Sequence, residues 1–308
     1  MNYTIANAKN NMLSKPEKDN KYELGGYVID LNEKNDSHSI LVNNALGSKK
    51  ILDVGCGKGY MGTKIKELQR CTVDGIEIDK VAAKIAKKTY DQVFVMALGD
   101  QHDKNFRAFL ENKEKYDCII CGDLIEHLAD PGYILSILIN KLARGGKLLV
   151  SIPNIAHANV IAGLVDGIFN YNMWGILDTT HLRFWTENSF YEFIANVNEL
   201  YNLKMAPKII AKTTAFDGSV DNSLLEEVCG KDIYTLQNIF EITIGKKKYT
   251  PKRRSTNNYS NLIRIGNSNT NLQNGIIQRD KIIYDMENSL SWKITKPLRK
   301  INAIFKKK

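Results

Sequence analysis

The sequence has no uninterrupted apolar run of membrane-spanning length, about 20 residues, so no transmembrane helix is expected. Its first residues, Met1-Asn2-Tyr3-Thr4, lack the basic-then-apolar order of a secretory signal, and a cytoplasmic protein is expected. Cysteine is sparse. The five, Cys56, Cys71, Cys118, Cys121 and Cys229, form an odd and scattered set that suits a reducing compartment rather than a disulfide framework. Cys118 and Cys121 have the CxxC spacing, but they lie in Tyr116-Asp117-Cys118-Ile119-Ile120-Cys121, which reads as a buried strand. No second pair follows, so the expectation is core packing and not a zinc or redox site. There is also no internal repeat.

What is present is a chain of 308 residues, 43% hydrophobic and 25% charged, the composition of a soluble globular protein. The net charge of +9 is unevenly spread. Residues 246–308 carry sixteen Lys and Arg against three acids, which leaves residues 1–245 with a net −4. The basic balance therefore concerns the partner of the tail more than the active site.

Strand and helix patterns alternate after a polar arm at residues 1–20. The periodicity predicts strands at 50–54, 72–78, 92–96, 117–121 and 147–152. Helices are predicted at 39–46, 60–68, 80–89, 105–111, 132–142 and 186–200, the last capped by Thr186. Arg144-Gly145-Gly146 reads as a turn, and 208–212 and 240–245 as two closing strands. Residues 156–175, rich in Gly, Asn, Trp and Tyr, carry no clear period. The alternation predicts a doubly wound α/β sheet. Residues 246–275 have linker composition, and 276–308 form a basic amphipathic tail.

The first strand runs into Ile51-Leu52-Asp53-Val54-Gly55-Cys56-Gly57-Lys58-Gly59 and then a helix. Glycines there allow positive φ and close backbone approach, and the helix start offers free N–H groups. Gly57 to Gly62 also fit GxGxxG, a weak dinucleotide pattern. Context opposes that reading: Gly55 already occupies the turn, and Asp53 puts a negative charge where pyrophosphate would lie. The same charge suits the ammonium of an amino-acid-bearing cofactor. The arrangement resembles the first motif of class I S-adenosylmethionine-dependent methyltransferases. That likeness implies a seven-stranded Rossmann-like methyltransferase sheet over residues 21–245. It also implies S-adenosyl-L-methionine held by Asp53 and the loop residues Gly55, Cys56 and Gly57. At the second strand end the resemblance makes Glu77 the ribose ligand, with Ile78 beside adenine. Asp79 is the runner-up, with helix capping as its alternative. Asp100 is placed at the adenine amino group, with a solvated loop acid as the competing reading.

The fourth strand leads into Asp123-Leu124-Ile125-Glu126-His127-Leu128-Ala129-Asp130-Pro131, on the ligand side of an open α/β sheet. This D-x-x-E-H motif resembles a subgroup that includes ubiquinone-biosynthesis O-methyltransferases and small-RNA 2′-O-methyltransferases. Ser151-Ile152-Pro153-Asn154 and the run from Asp178 to Thr186, which contains His181, match the same subgroup. Three readings stay open. His127 or His181 is a general base for an acceptor hydroxyl. Alternatively, Asp123, Glu126, His127 and His181 bind a divalent cation, with Asp123 standing where those relatives carry the longer Glu. Or Glu126 and His127 only cap and brace loops. Asp123 is also counted on the cofactor side. His157 and Arg183 are candidates for a polar acceptor pocket, and Trp174 and Trp185 for flat sugar-binding faces, with ordinary packing as the alternative for each.

The tail, with Ser291-Trp292-Lys293-Ile294-Thr295-Lys296-Pro297-Leu298-Arg299, resembles an element attached to bacterial surface-glycan enzymes. Trp292, Leu298, Ile301, Ile304 and Phe305 suit a headgroup layer, and the lysines suit anionic lipid. These features imply a sugar or lipid-linked glycan acceptor at the inner face of the membrane. The rivals are an RNA 2′-O-methyltransferase, a quinone-type O-methyltransferase and a non-catalytic scaffold. Against nucleic acid, the basic stretch lacks the aromatic interleaving of a stacking platform.

Overall fold

The computed structural model describes residues 28–215, 231–246 and 249. The arm at 1–20, most of the linker and the tail at 276–308 lie outside the described residues, as do Trp292 and Cys229. The chain divides into two compact units. Among the described residues the first comprises 28–153, 181–213, 237–246 and 249, and the second 154–180, 214–215 and 231–236.

In chain order the elements are α1 (Ser37–Ala45), β1 (Lys50–Val54), α2 (Tyr60–Leu68), β2 (Thr72–Glu77), α3 (Lys80–Ala86), β3 (Gln92–Val95), α4 (Lys104–Glu111) and β4 (Tyr116–Cys121). Then follow α5 (Pro131–Asn140), β5 (Leu142–Pro153), α6 (Ala158–Val165), α7 (Glu187–Leu200), β6 (Met205–Thr214) and β7 (Thr235–Ile244). The helix starts are written in the sequence. Asp36, Asp79, Asp103 and Asp130 each accept backbone N–H groups of the first turn, and Thr186 closes a capping box with Ser189. Only α2 among these opens on a glycine, Gly59 at φ 87°, without a side-chain cap.

The seven strands form one sheet in the order β3-β2-β1-β4-β5-β7-β6. β1 pairs in parallel with β2 and β4, as β2 does with β3 and β4 with β5, while β7 runs antiparallel to β5. This is the Rossmann-like methyltransferase sheet. The order reverses between β1 and β4, so ligands are expected beyond the carboxyl ends of these strands. Both faces are covered. Leu52, Val54, Ile119 and Leu148 pack with α4, α5 and α7 on one side, and Ile51, Val73, Ile120 and Leu149 with α1, α2 and α3 on the other. Strands buried on both faces tend to read as continuous apolar runs; β4 does so from Cys118 to Cys121, whereas β1 and β2 carry the buried acids Asp53, Asp74 and Glu77.

Cys118 and Cys121 are buried on opposite faces of β4. Residues three apart on a strand point opposite ways, so the pair cannot share a metal. Several elements differ from the sequence pattern, among them β6 and β7, which start before the strands expected at 208–212 and 240–245. Arg144-Gly145-Gly146 lies within β5, because the β4–β5 register shifts between Tyr116 and Cys118. Gly145 takes φ 80° there, and a side chain at Gly146 would meet the Tyr116 carbonyl at 2.9 Å. Helix α3 stops at Ala86, before the predicted end. In the second unit, α6 forms in the stretch without clear period. His157 caps it by accepting from Asn159 N at 3.2 Å, a role the usual capping residues do not signal. His157 Nε2 also lies 3.0 Å from the Ala215 carbonyl. It is a buried brace of that unit and not a pocket residue.

Candidate functional site

The loop after β1 has the strained backbone its glycines permit, with φ of 74° at Gly55, 54° at Gly57 and 87° at Gly59. At Gly55 even a methyl group would come within 2.9 Å of Leu124 Cδ1. Glu77, at the end of β2, pins this loop. Its Oε2 accepts from Gly57 N at 2.7 Å and its Oε1 from Asp79 N at 2.8 Å. A carboxylate has about four lone-pair positions, so each oxygen keeps capacity for a further donor such as a ribose hydroxyl. Ile78 beside it is 66% exposed and offers an apolar face. Asp79 is a helix cap, its Oδ1 accepting from Val81 N and Ala82 N at 2.7 Å. Asp100 is exposed in the turn after β3 and accepts from His102 N at 2.8 Å.

Asp53 lies beneath the loop, fully buried at 0% exposure. Its Oδ2 accepts from the Tyr90 hydroxyl at 2.5 Å, and its Oδ1 is buried with no hydrogen-bond partner among the described residues. Burial raises the Asp53 carboxyl from the usual 3.8 to about 6, against the opposing effects of the Tyr90 hydrogen bond and His38. The Cys56 thiol is held well above its ordinary value by burial and by Asp53 and Glu77. It stays a neutral packing group. On α1, burial disfavours the charged form of His38, but Asp36, Asp123 and Asp53 together raise its pKa.

Asp123 follows β4 with φ 46°, a left-handed conformation that is rare outside glycine and clusters at functional sites. It is tied down from two strands. Its N–H donates to Ser151 Oγ at 2.9 Å, and its Oδ1 accepts from Ser151 Oγ and Gln237 Nε2, both at 2.7 Å. Thr213 Oγ1 in turn donates to Gln237 Oε1 at 3.3 Å, so β5, β6 and β7 all bear on the end of β4.

Glu126, His127 and His181 converge. One ligand atom from each lies within 4.8 Å of the others. The two imidazole rings meet edge to face at 4.7 Å between centroids. The Glu126 carbonyl accepts from Leu182 N at 2.8 Å and Arg183 N at 3.1 Å, which docks the His181 loop onto the 3-10 turn Ile125–His127. Asp123 is not part of this group; Ser151 and Gln237 hold it elsewhere. Arg183 reaches the Ala129 carbonyl at 2.7 Å and joins two loops. Trp185 is buried among Phe190 and Phe193, a core residue, whereas Trp174 in the second unit is 54% exposed. His38, Tyr90 and Gln237 were not singled out by motif reading. An isolated buried tyrosine or a single glutamine on a strand carries no spacing signal.

A family model described as a methyltransferase domain matches residues 20–198. The chain is 24% identical over 190 residues to the ubiquinone biosynthesis O-methyltransferase of Idiomarina loihiensis, covering 59% of this chain and 69% of that one. It is 29% identical over 116 residues to the enzyme of the same description from Aliivibrio fischeri, covering 36% of this chain and 47%, about half, of that relative. A SAM-dependent methyltransferase structure from Archaeoglobus fulgidus superposes with a TM-score of 0.45 at 14% identity, over 70% of this chain and 97% of the other.

Proposed function

The chain belongs to the methyltransferase-domain family, and from that premise we propose that it methylates a hydroxyl oxygen with His127 as the general base. It is an S-adenosylmethionine-dependent methyltransferase. The residues on the cofactor side fit that group. A buried acceptor without a donor among the described residues, Asp53 Oδ1, lies under a glycine loop whose far edge is pinned by Glu77. In this reading Asp53, Gly55, Cys56 and Gly57 surround the amino-acid end. Glu77 takes the ribose, Ile78 and Asp100 border adenine, and Asp123 closes the cofactor side.

The observation that carries the chemistry is the convergence of Glu126, His127 and His181. When bound, the cofactor supplies a methyl group activated by its sulfonium. As that methyl group passes to an acceptor oxygen, with the cofactor's thioether as the leaving group, a ring nitrogen of His127 would take the hydroxyl proton. Glu126, 1% exposed, places a carboxylate oxygen within 4.8 Å of a ring nitrogen of His127. His181 packs edge to face against the same ring. General acid–base catalysis of this kind contributes about 10²- to 10⁴-fold. In single-turnover assays, His127→Ala is expected to lose that factor while keeping cofactor affinity. Unchanged turnover would sink the proposal.

A second reading is favoured by the same donor set. A carboxylate oxygen and two imidazole nitrogens within reach of one point suit Mg²⁺, Mn²⁺ or Zn²⁺. A divalent cation there would orient a diol and acidify one hydroxyl. Activity abolished by chelation and restored by one metal supports it.

For the acceptor, we propose a sugar hydroxyl in a surface-polysaccharide or glycolipid precursor, with the basic tail bringing the enzyme to anionic membrane. Its support is the resemblance at residues 151–157, 178–186 and 291–299, all read in sequence. No helix among the described residues is long and apolar enough to cross a membrane. The curated relatives, named for ubiquinone biosynthesis, favour a phenolic hydroxyl as the competing acceptor. Mass spectrometry of surface glycan and quinone pools, with and without the gene product, separates the two. A methyl group missing from neither refutes both.

A further inference from the structure

We infer that Tyr90 is a positioning residue for the cofactor: its hydroxyl locks one oxygen of Asp53 and the first turn of α2, leaving the other Asp53 oxygen for the cofactor's amino-acid end. This rests on the reading that the β1 loop holds S-adenosylmethionine. Tyr90 lies 37 residues from Asp53 in sequence, outside every motif.

Two observations support the assignment independently. The first is shape. The Tyr90 ring fills the space that side chains at three glycines would need. A Cβ at Gly59 would lie 2.8 Å from it, at Gly62 2.3 Å and at Gly75 2.9 Å. These glycines and this tyrosine are therefore one fitted unit: Gly62 is small because Tyr90 is there, and Gly75 because Tyr90 and Cys56 Sγ, 2.7 Å from an added Cβ, both are. The second is the hydrogen-bond pattern. A tyrosine hydroxyl has a single proton to donate, and it goes to Asp53 Oδ2 at 2.5 Å. The Tyr90 hydroxyl oxygen itself accepts from Gly62 N at 2.9 Å, near the start of α2. The hydroxyl thus couples the acid to the helix whose uncapped start borders the loop. The buried Asp53 Oδ1 is left without a donor.

The other groups facing Asp53 cannot take this role. His38 from α1 acts on it through its charge, and Glu77 from β2 repels it. The thiols of Cys56 and of Cys118 and Cys121 on β4 are pushed up by burial, that of Cys118 to about 12, so they carry no charge at neutral pH. Among the described residues, Tyr90 is the side chain that donates a hydrogen bond to Asp53. That bond also favours the charged carboxylate, which burial otherwise raises to about 6.

The test is calorimetric binding of S-adenosylmethionine to the full chain from pH 5 to 8. Wild type, Tyr90→Phe, Asp53→Asn and the double variant are compared. Wild-type affinity is expected to fall as the pH drops through about 6, where Asp53 takes up a proton. Tyr90→Phe keeps the ring. It is expected to bind about tenfold more weakly at pH 7.5, the scale of one charged hydrogen bond, with its acid limb moved to higher pH. Asp53→Asn loses the limb, and the double variant binds no more weakly than Asp53→Asn alone. A packing role would leave the limb in place and make the two losses additive, and that result overturns the assignment. Binding by Tyr90→Phe equal to wild type overturns it as well. No binding by the wild type at any pH overturns the reading of the loop, and the assignment with it. If Tyr90→Phe does not fold, the ring-carbon NMR shift of Tyr90 in labelled wild type decides. It should move near pH 6 and on cofactor addition, and constancy in both refutes the coupling.

Discussion

Replacing Asp53 by asparagine separates the stability cost of this site from its function. In the folded chain the Asp53 carboxyl is raised by burial from 3.8 to about 6. A folded value above the unfolded one means that the native state binds the extra proton between those two values. The contribution to stability is whole below about pH 4 and is lost as the pH rises through 6. Each pH unit between the two values is worth 1.36 kcal/mol, so the penalty at pH 8 is about 3 kcal/mol. Asparagine has nearly the same shape and can still accept from Tyr90, but it does not titrate. Relative to wild type it should therefore gain about 3 kcal/mol more at pH 8 than at pH 4, a differential shift of roughly 6–12 °C in Tm for a domain of this size. Calorimetric unfolding of both proteins at pH 4, 5, 6 and 8, without cofactor, measures it. Groups that do not interact with Asp53 titrate alike in both proteins and cancel in the difference; His38, whose pKa Asp53 helps to raise, is the coupled exception. A difference between the two proteins that does not change with pH refutes the buried-charge argument. The same variant should bind S-adenosylmethionine more weakly, an exchange of stability for function of the kind active sites show.

Further outcomes follow from the same geometry. Gly62→Ala puts a methyl group 2.3 Å from the Tyr90 ring; it should cost about 1–3 kcal/mol by overpacking and weaken cofactor binding, read by chemical denaturation and calorimetry. Gln237→Leu removes the donor to Asp123 Oδ1; the expectation is a lowered kcat and a loss of about 1 kcal/mol of stability, and wild-type kinetics would remove Gln237 from the site. Trp185→Ala empties a buried aromatic site and should cost about 3–5 kcal/mol in thermal unfolding, while the KM for acceptor stays unchanged below the transition; a raised KM would restore the sugar-platform reading of this residue.

Acids and thiols show how far local pattern carries. Asp79 and Thr186 are helix caps because a short acceptor before an apolar period satisfies free amides, and that is visible in a few residues. Cys118 and Cys121 are core because β4 is apolar and buried from Cys118 to Cys121. The Asp123–His127 motif marks the ligand side of β4, yet its members part company in space. Asp123 turns to Ser151 and Gln237, while Glu126 and His127 turn to His181, 54 residues beyond His127. Trp185 and Trp174 look alike in sequence, and only packing makes one buried and the other exposed.

The sequence by itself determined the alternation of strands and helices, the glycine loop after β1 and the acids at the strand ends. These depend on periods of two and 3.6 residues and on backbone freedom, all local quantities. Tertiary structure decided that Asp53 lies buried under Tyr90, that Glu77 holds Gly57, and that His181 meets His127 rather than solvent. Those relations join residues 20 to 54 positions apart, and they exist only once the sheet order brings the ends of β1, β2 and β4 together. Burial then sets the charge states, because desolvation depends on what surrounds a carboxyl and not on its neighbours in the chain.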